Sequence, residues 1–149
     1  MSSYHQIIYH IIFGTKNRQP TLSEEHSKEL FKYIWGIIKN KKCFLYRING
    51  TEDHIHILCD LHPDCSLSDF VKTIKVSSSI WLKQSENFKL FNGWSEGYAA
   101  VTYSIKEKDI VIKYIKNQKE HHTKISFFDE YKKFLIENKI DFKEEYLMH

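Results

Sequence analysis

The order in which strand-type and helix-type patterns alternate along the chain is the feature that most constrains its fold. Residues 4–13 are rich in isoleucine and aromatic side chains, which favours a first strand that closes at the polar stretch 14–20. Ser23 then precedes two acidic residues, and apolar residues recur at helical spacing as far as Asn40. The chain therefore opens with a strand followed by a helix.

The middle of the chain reads as a hairpin followed by a second helix. Residues 43–48 and 54–61 are two β-type runs, and the connection between them contains Asn49-Gly50, a strong turn dipeptide. Ser66 is a good cap for a helix that ends near Gln84. The apolar residues of this helix do not share one stripe, which predicts burial on more than one side or a bend near the serines at 77–79.

The last third of the chain predicts one more strand and then helices. Residues 98–103 have the pattern of a fourth strand, a helix begins at Lys106, and residues 126–138 form an amphipathic segment. The order β-α-β-β-α-β is the connectivity of a ferredoxin-like sandwich, an α+β fold in which an antiparallel sheet carries helices on one face. We expect a single domain over residues 1–149 with additional C-terminal helices.

Charge and cysteine content narrow the class of protein only slightly. The 22 basic and 19 acidic side chains leave a net charge of +3, which permits a nucleic-acid partner without requiring one. Cys43, Cys59 and Cys65 form no CxxC pair, so neither a disulfide framework nor a zinc knuckle is indicated. The N-terminus has no targeting signal and no membrane span. These features predict a protein of the reducing cytoplasm.

Two short motifs carry chemical information. His54 and His56 are separated by one residue on a predicted strand, so both imidazoles point to one face and can reach one metal ion. Tyr114 and Gln118 are four residues apart on the predicted helix after the fourth strand, where one side chain could attack while the other binds metal. Each motif alone also fits an ordinary role, as half-exposed strand residues or as a tyrosine that packs at the border of an apolar stripe.

Taken together, the motifs resemble a known family, the single-tyrosine HUH transposases of the TnpA type found in small insertion sequences. The similar segments span nearly the whole chain in matching order and spacing. They are Gly14-Thr15-Lys16, GTEDHIHIL at 50–58, GWSEGY at 93–98 and YIKNQKEHH at 114–122.

The resemblance implies roles for four residues. His54 and His56 are the HUH ligands, Gln118 is the third protein ligand, and Tyr114 is the nucleophile. The ion is Mg²⁺ or Mn²⁺, which polarises the scissile phosphate, and the product is a 5′-phosphotyrosine bond that a 3′-hydroxyl can later resolve without ATP. Further implications are a homodimer whose active sites combine residues of both subunits, and recognition of DNA hairpins at the element ends.

The remaining candidate residues are weaker. Five basic side chains are candidate phosphate contacts, and three other residues are candidates for an auxiliary role that includes the general base. The basic residues are Lys16, Arg18, Lys72, Lys75 and Lys113. The auxiliary residues are Asp53, His121 and His122, any of which could equally be an ordinary turn or surface residue.

Two other functions stay open on the sequence alone. One is a related HUH enzyme, either a replication-type nickase or a host-domesticated endonuclease that acts on genomic repeats. The other is a non-catalytic module that binds single-stranded nucleic acid on its sheet, with Tyr46 and Phe44 as stacking platforms.

Overall fold

A computed structural model describes residues 2–121 and 125–147 of the chain. The strands are β1 (Ile8–Gly14), β2 (Phe44–Gly50), β3 (His54–Asp60) and β4 (Ala99–Tyr103). The helices are α1 (Ser27–Asn40), α2 (Leu67–Gln84), α3 (Lys108–Lys116), α4 (Gln118–His121), α5 (Phe127–Glu137) and α6 (Glu144–Leu147). Short 3₁₀ turns occupy Lys16–Arg18, Glu86–Phe88 and Ile105–Glu107.

The four strands form one antiparallel sheet in the order β2-β3-β1-β4. This order and the intervening helices confirm the predicted ferredoxin-like α+β fold. The inner strands β1 and β3 are buried along almost their whole length, because helices cover both faces of the sheet. A strand that is buried on both faces is apolar at successive positions, which explains the isoleucine-rich sequence of β1.

One face of the sheet packs on α1 and α2 and forms the main hydrophobic core. Alternate residues of β1 and β3, including Ile11 and Ile57, meet Ile34 of α1 and Phe70 of α2, and all four side chains are at most 1% exposed. Ser66 caps α2 by accepting a hydrogen bond from the backbone N–H of Asp69 at 3.1 Å. These contacts fix the sheet from one side and leave its other face for the remaining helices.

The opposite face is covered by α3 and α5, which pack on two smaller apolar clusters. Val111 and Ile115 of α3 contact Ile8 and Leu58, while Phe127 and Phe134 of α5 belong to a second cluster around β1 and β4. The predicted arrangement of two helices on one face plus C-terminal helices is therefore observed, with the C-terminal helices lying on the face that carries the histidines of β3.

The β2-β3 connection differs from the prediction in where it turns. Asn49 and Gly50 are the last residues of β2, and residues 51–53 make the turn. A Cβ atom at Gly50 would lie 2.3 Å from the carbonyl oxygen of His54, so glycine is needed here for close approach of two strands. The Asn49 side chain donates to the carbonyl oxygens of Ile115 and Lys116, both at 3.0 Å, and so caps the end of α3.

Other element boundaries also shift. β1 begins at Ile8 instead of residue 4, and α1 begins at Ser27, several residues after the predicted cap at Ser23. α2 is continuous through the serines at 77–79, and the Ser78 hydroxyl donates to the carbonyl oxygen of Ile74 one turn earlier. The Trp94 indole N–H donates to the same hydroxyl at 3.0 Å, so this serine ties α2 to the 93–97 loop.

Among the described residues, α2 is the longest helix, and neither it nor any other is apolar and long enough to cross a membrane.

Replacing Ile57 by alanine should destabilise the protein by about 2–5 kcal/mol, because the side chain is fully buried between the sheet and its helices. Urea denaturation followed by circular dichroism measures the loss. Val76→Ala is the matched control, since Val76 is 51% exposed on α2 and its truncation should change stability by less than about 0.5 kcal/mol. Equal losses in the two variants would contradict the location of the core.

Candidate active site

The centre of the site is a pair of buried histidines on β3. His54 and His56 point to the same face because they are two residues apart on a strand, and their ring centroids are 5.0 Å apart. Neither side chain has any exposed surface. A buried imidazole is stable only when its nitrogens have partners, so the neighbours of each ring define what the site can bind.

The His54 ring is oriented by the turn that precedes it. Its Nδ1 lies 2.8 Å from the Asp53 carboxylate and 3.0 Å from the Thr51 hydroxyl, which places the ring proton on Nδ1. The Nε2 lone pair then faces the side-chain oxygen of Gln118 at 3.2 Å. Two acceptors at this distance repel each other unless a cation lies between them, so the arrangement fits a metal ion bound by both.

The His56 ring is held between two residues that come from other elements. Its Nδ1 lies 2.9 Å from Nε2 of His10 on β1, and its Nε2 lies 3.2 Å from a carboxylate oxygen of Glu130 on α5. Burial, and secondarily the neighbouring His56, keeps the pKa of His10 well below its usual value, although Glu130 opposes this. His10 is therefore neutral and orients His56 by a hydrogen bond between rings.

Tyr114 reaches the histidines from α3 of the same chain. Its ring centroid is 5.8 Å from that of His56, and its hydroxyl donates a 2.5 Å hydrogen bond to Glu130. Burial raises the pKa of Tyr114 above its usual value, and the charge of Glu130 and the hydrogen bond to it raise the pKa further, while contact with Gln118 lowers it. The phenol is consequently protonated at neutral pH.

Gln118 is brought to the site by a break in the helix that was predicted to be continuous. α3 ends at Lys116, and Gln118 begins the short helix α4 after Asn117. The prediction of one helix through both residues was wrong, because the Asn49 side chain caps the last carbonyls of α3. Gln118 is nevertheless fully buried, with its side-chain oxygen 3.2 Å from Nε2 of His54.

The donor atoms at the site match the ligands of a divalent ion. Within the described part of the chain, His54, His56 and Glu130 form one group of three side chains whose ligand atoms all lie within 4.8 Å of one another. With the oxygen of Gln118, the set offers two imidazole nitrogens and two oxygens. This mixture is compatible with Mn²⁺ and less nitrogen-rich than the ligand set predicted from sequence.

Sequence analysis missed two residues of the site, His10 and Glu130. His10 lies on β1, and its closeness to His56 depends on the pairing register of two strands that are distant in sequence. Glu130 lies 16 residues after Tyr114 and reaches it only because α5 folds back over the sheet. The charged residue inside an amphipathic stretch was the one available signal for Glu130, since Glu130 falls on the apolar side of α5 with Phe127 and Phe134.

Two of the five predicted phosphate contacts are engaged within the chain. The Arg18 guanidinium donates to the carbonyl oxygen of Leu147 at 2.8 Å and lies 4.4 Å from the centre of the Phe127 ring. Lys75 donates to the carbonyl oxygens of Ser95 and Gly97, and burial lowers its pKa to about 8. Both side chains thus contribute to the fold, and their role as phosphate contacts stays a prediction.

Of the other predicted residues, three lysines are exposed, and two histidines lie partly or wholly outside the described residues. Lys16, Lys72 and Lys113 are exposed. The backbone of His121 ends α4, but its side chain, like all of His122, lies outside the described residues. Asp53 has a clear position, since its carboxylate accepts a hydrogen bond from Nδ1 of His54.

An open cavity of about 340 Å³ adjoins Tyr114 between α3 and α5. His10, Tyr114 and Glu130 form its inner wall, and Tyr103 and Phe134 contribute aromatic surface. The Tyr114 side chain therefore borders a space that is open to solvent.

The raised pKa of Tyr114 predicts late ionisation in alkaline solution. A tyrosine whose folded pKa exceeds the unfolded value near 10 contributes stability below that pH, and the contribution is lost as pH rises through the folded pKa. In an absorbance titration of tyrosinate, the native protein and Tyr114→Phe should therefore coincide through the main transition of the exposed tyrosines. A difference within that transition would show that Tyr114 is not shielded.

Comparison with known proteins agrees with this geometry. The family model described as "Transposase IS200 like" matches residues 3–118. The ISDra2 transposase TnpA of Deinococcus radiodurans is 28% identical over 120 residues, which cover 76% of this chain and 85% of that protein. The transposase for insertion sequence element IS200 of Salmonella typhimurium is 29% identical over 117 residues, or 75% of this chain and 76% of the relative.

Solved structures show the same fold. A crystal structure from Deinococcus radiodurans, described as a transposase, superimposes with a TM-score of 0.59 at 26% identity and covers 79% of this chain and 95% of that one. A REP-associated tyrosine transposase bound to a REP hairpin gives a TM-score of 0.63 at 16% identity, with 84% and 76% covered. Since the family model spans most of the sequence, the chain belongs to the IS200-like transposase family, whose members are DNA-cleaving enzymes.

Proposed function

We propose that this transposase cleaves and rejoins single-stranded DNA at the ends of an insertion sequence through a covalent bond between DNA and Tyr114. The observation that carries the proposal is the position of Tyr114, whose ring lies 5.8 Å from that of His56 inside a site with buried metal-type ligands. A tyrosine beside such ligands, in a member of this family, is best explained as the attacking nucleophile.

His54, His56 and Gln118 are the proposed ligands of a divalent ion, Mg²⁺ or Mn²⁺. The facing lone pairs of His54 and Gln118 support this assignment, because a cation between them removes their repulsion. Such an ion, when bound, supplies Lewis acidity that draws charge from the scissile phosphate and from the departing oxygen. Asp53 and His10 orient the two imidazoles so that each presents an unprotonated nitrogen to the ion.

The covalent steps follow from the chemistry of a phenol. As the Tyr114 oxygen bonds to phosphorus, its proton leaves and the bond from phosphorus to the 3′ oxygen breaks, and that oxygen takes up a proton to become a 3′-hydroxyl. The 5′ end remains on the protein as a phosphotyrosine ester. Attack by another 3′-hydroxyl reverses the sequence and returns a proton to Tyr114, so no external energy source is needed.

DNA would approach from the side of the open cavity beside Tyr114. Lys16, Lys72 and Lys113 are exposed and are proposed as phosphate contacts. One related structure is bound to a REP hairpin, which supports a hairpin as the DNA partner. Reduced cysteines fit action in the cytoplasm, where DNA is available.

The proposed assembly and domain organisation rest on the family resemblance. A homodimer and one transposase domain over residues 1–149 stay predictions. Active sites that combine residues of both subunits also stay a prediction; within this chain Tyr114 lies beside its own His56. Exchange of residues between subunits would require α3 to leave this position.

A non-catalytic module that binds single strands on its open sheet does not fit the fold. Helices cover both faces of the sheet, and Lys108 lies 5.2 Å from the centre of the Tyr46 ring, which was a candidate stacking platform. Phe44 is exposed at the edge strand, but it stands away from the buried histidines. A domesticated endonuclease or a nickase would use the same chemistry and differs in its DNA target.

The central experiment is covalent capture of labelled single-stranded DNA from the element ends, with Mn²⁺ or EDTA, on a denaturing gel. The wild type should give a shifted protein–DNA band with Mn²⁺ alone, and Tyr114→Phe should give none, because it lacks the attacking oxygen. Tyr33→Phe is the matched control, since Tyr33 lies on α1 behind the opposite face of the sheet, and should behave as wild type. An adduct in Tyr114→Phe would disprove the assignment of the nucleophile.

The role of Asp53 can be tested through metal affinity. Asp53→Asn should weaken Mn²⁺ binding by about 10–100-fold, because an amide is a poorer acceptor for the His54 N–H and leaves that imidazole less basic. Titration followed by electron paramagnetic resonance of free Mn²⁺ measures the change. Asp64→Asn, at a residue whose side chain is 92% exposed, should bind as the wild type does. Unchanged affinity in Asp53→Asn would remove Asp53 from the metal centre.

A further inference from the structure

Helix α5 lies beyond residue 118, where the match to the family model ends, and it brings a buried carboxylate into the site. We propose that Glu130 is a further protein ligand of the divalent ion and that it positions the Tyr114 hydroxyl beside that ion. This inference rests on the metal centre of the proposed function. It adds a ligand that neither the sequence motifs nor the family match contain.

The position of Glu130 is the first argument. Only 4% of the residue is exposed, and a buried carboxylate is costly unless polar or charged groups surround it. One of its oxygens lies 3.2 Å from Nε2 of His56 and 2.5 Å from the Tyr114 hydroxyl. Both neighbours belong to the proposed active site, so the carboxylate points into that site and does not form a surface ion pair.

The spacing of the ligand atoms is the second argument. Those of His54, His56 and Glu130 lie within 4.8 Å of one another. Two ligands that each bind an ion at about 2.2 Å are at most about 4.4 Å apart, so contraction by a few tenths of an ångström would place all three on one ion. Gln118 would be a fourth ligand. An octahedral ion would then keep about two positions for the phosphate and the departing oxygen.

Charge is the third argument. His54, His56 and Gln118 are neutral ligands, whereas Glu130 contributes a negative charge and a hard oxygen. Mg²⁺ and Mn²⁺ prefer such oxygens, so the carboxylate favours these ions in a site that would otherwise be nitrogen-rich. With Glu130, the ligand set therefore contains the charged oxygen that the expected metal ions prefer.

Two aromatic contacts on the same face of α5 hold Glu130 in place. Phe127, three residues earlier, stacks on the His54 ring with centroids 3.8 Å apart, and Phe134, four residues later, meets the edge of His10 at 5.3 Å. Ser126 caps the helix by accepting from the backbone N–H of Asp129. Each turn of the helix thus contacts a residue of the site, which fixes the direction of the carboxylate.

The hydrogen bond from Tyr114 has a consequence for the nucleophile. Its acceptor is the same oxygen that lies next to His56. Binding of the ion by Glu130 would therefore set the distance between the ion and the phenol oxygen. Glu130 acts on Tyr114 as a positioning residue. The position of the Tyr114 hydroxyl would then depend on whether the ion is bound, and α5 would link the two.

The ligand role is tested by Mn²⁺ titration of the full chain, followed by electron paramagnetic resonance. Glu130→Gln and Glu130→Ala should both raise the dissociation constant by about tenfold or more. Glu137→Gln is the matched control on the same helix, since the Glu137 side chain is 63% exposed, and should stay within about twofold of wild type. Thermal melts of the isosteric Glu130→Gln show whether the fold is retained.

His54→Ala separates this inference from the proposed function. If His54→Ala loses Mn²⁺ binding while both Glu130 variants keep wild-type affinity, Glu130 is not a ligand and the metal centre still stands. If His54→Ala also binds as wild type, the metal centre itself is wrong.

The positioning role is tested by fluorine NMR of protein labelled with fluorotyrosine, in which Tyr114→Phe identifies the Tyr114 resonance. Saturation with Mg²⁺ should shift that resonance in the wild type. In Glu130→Gln, at Mg²⁺ concentrations that saturate its weaker site, the shift should be reduced by at least about half, because the amide no longer joins the ion to the phenol. An equal shift in both proteins, or none in the wild type, would overturn the coupling.

Discussion

Burial of imidazole groups at the centre of a sheet is the constraint on which the rest of the structure depends. His54 and His56 have no exposed surface, yet each ring has two nitrogens that need partners. Asp53 and His10 serve the Nδ1 atoms, and Gln118 and Glu130 face the Nε2 atoms. Because partners come from the turn before β3, from β1, from α4 and from α5, the two rings fix how these elements meet.

The two faces of the sheet consequently have different tasks. The face toward α1 and α2 is a continuous apolar core that supplies stability. The face toward α3 and α5 carries smaller apolar clusters on either side of the polar centre. Alternation along β3 links the faces directly, since Ile55 and Ile57 enter the core while His54 and His56 enter the site. Packing on one side thus positions the residues of the candidate site on the other.

Much of the fold and part of the site could be predicted from sequence because they depend on local periodicity. The spacing of His54 and His56 places them on one face of any strand, and the strand and helix patterns give the ferredoxin-like order. The break between Tyr114 and Gln118 could not be predicted, because the Asn49 cap comes from a different element. His10 depends on strand register in the same way.

Non-local packing also explains the partners of two charged residues. Glu130 looks like one acidic residue of an amphipathic helix until α5 is docked against the sheet. Arg18 looks like a free cation in a loop, but it lies over Phe127 and donates to the carbonyl oxygen of Leu147, so it ties the loop after β1 to the C-terminal segment. In both cases the side chain's partner lies in a part of the chain that sequence spacing does not relate to it.

Because Asn49 caps α3, the β2-β3 hairpin has two structural roles. The hairpin carries both histidines. Its Asn49 side chain also donates hydrogen bonds of 3.0 Å to two carbonyl oxygens at the end of α3, the helix that bears Tyr114. A displacement of the hairpin would therefore move the histidines and α3 together. The separation between the histidines and Tyr114 would then vary less than the position of either, even if the rest of the molecule were not stiff.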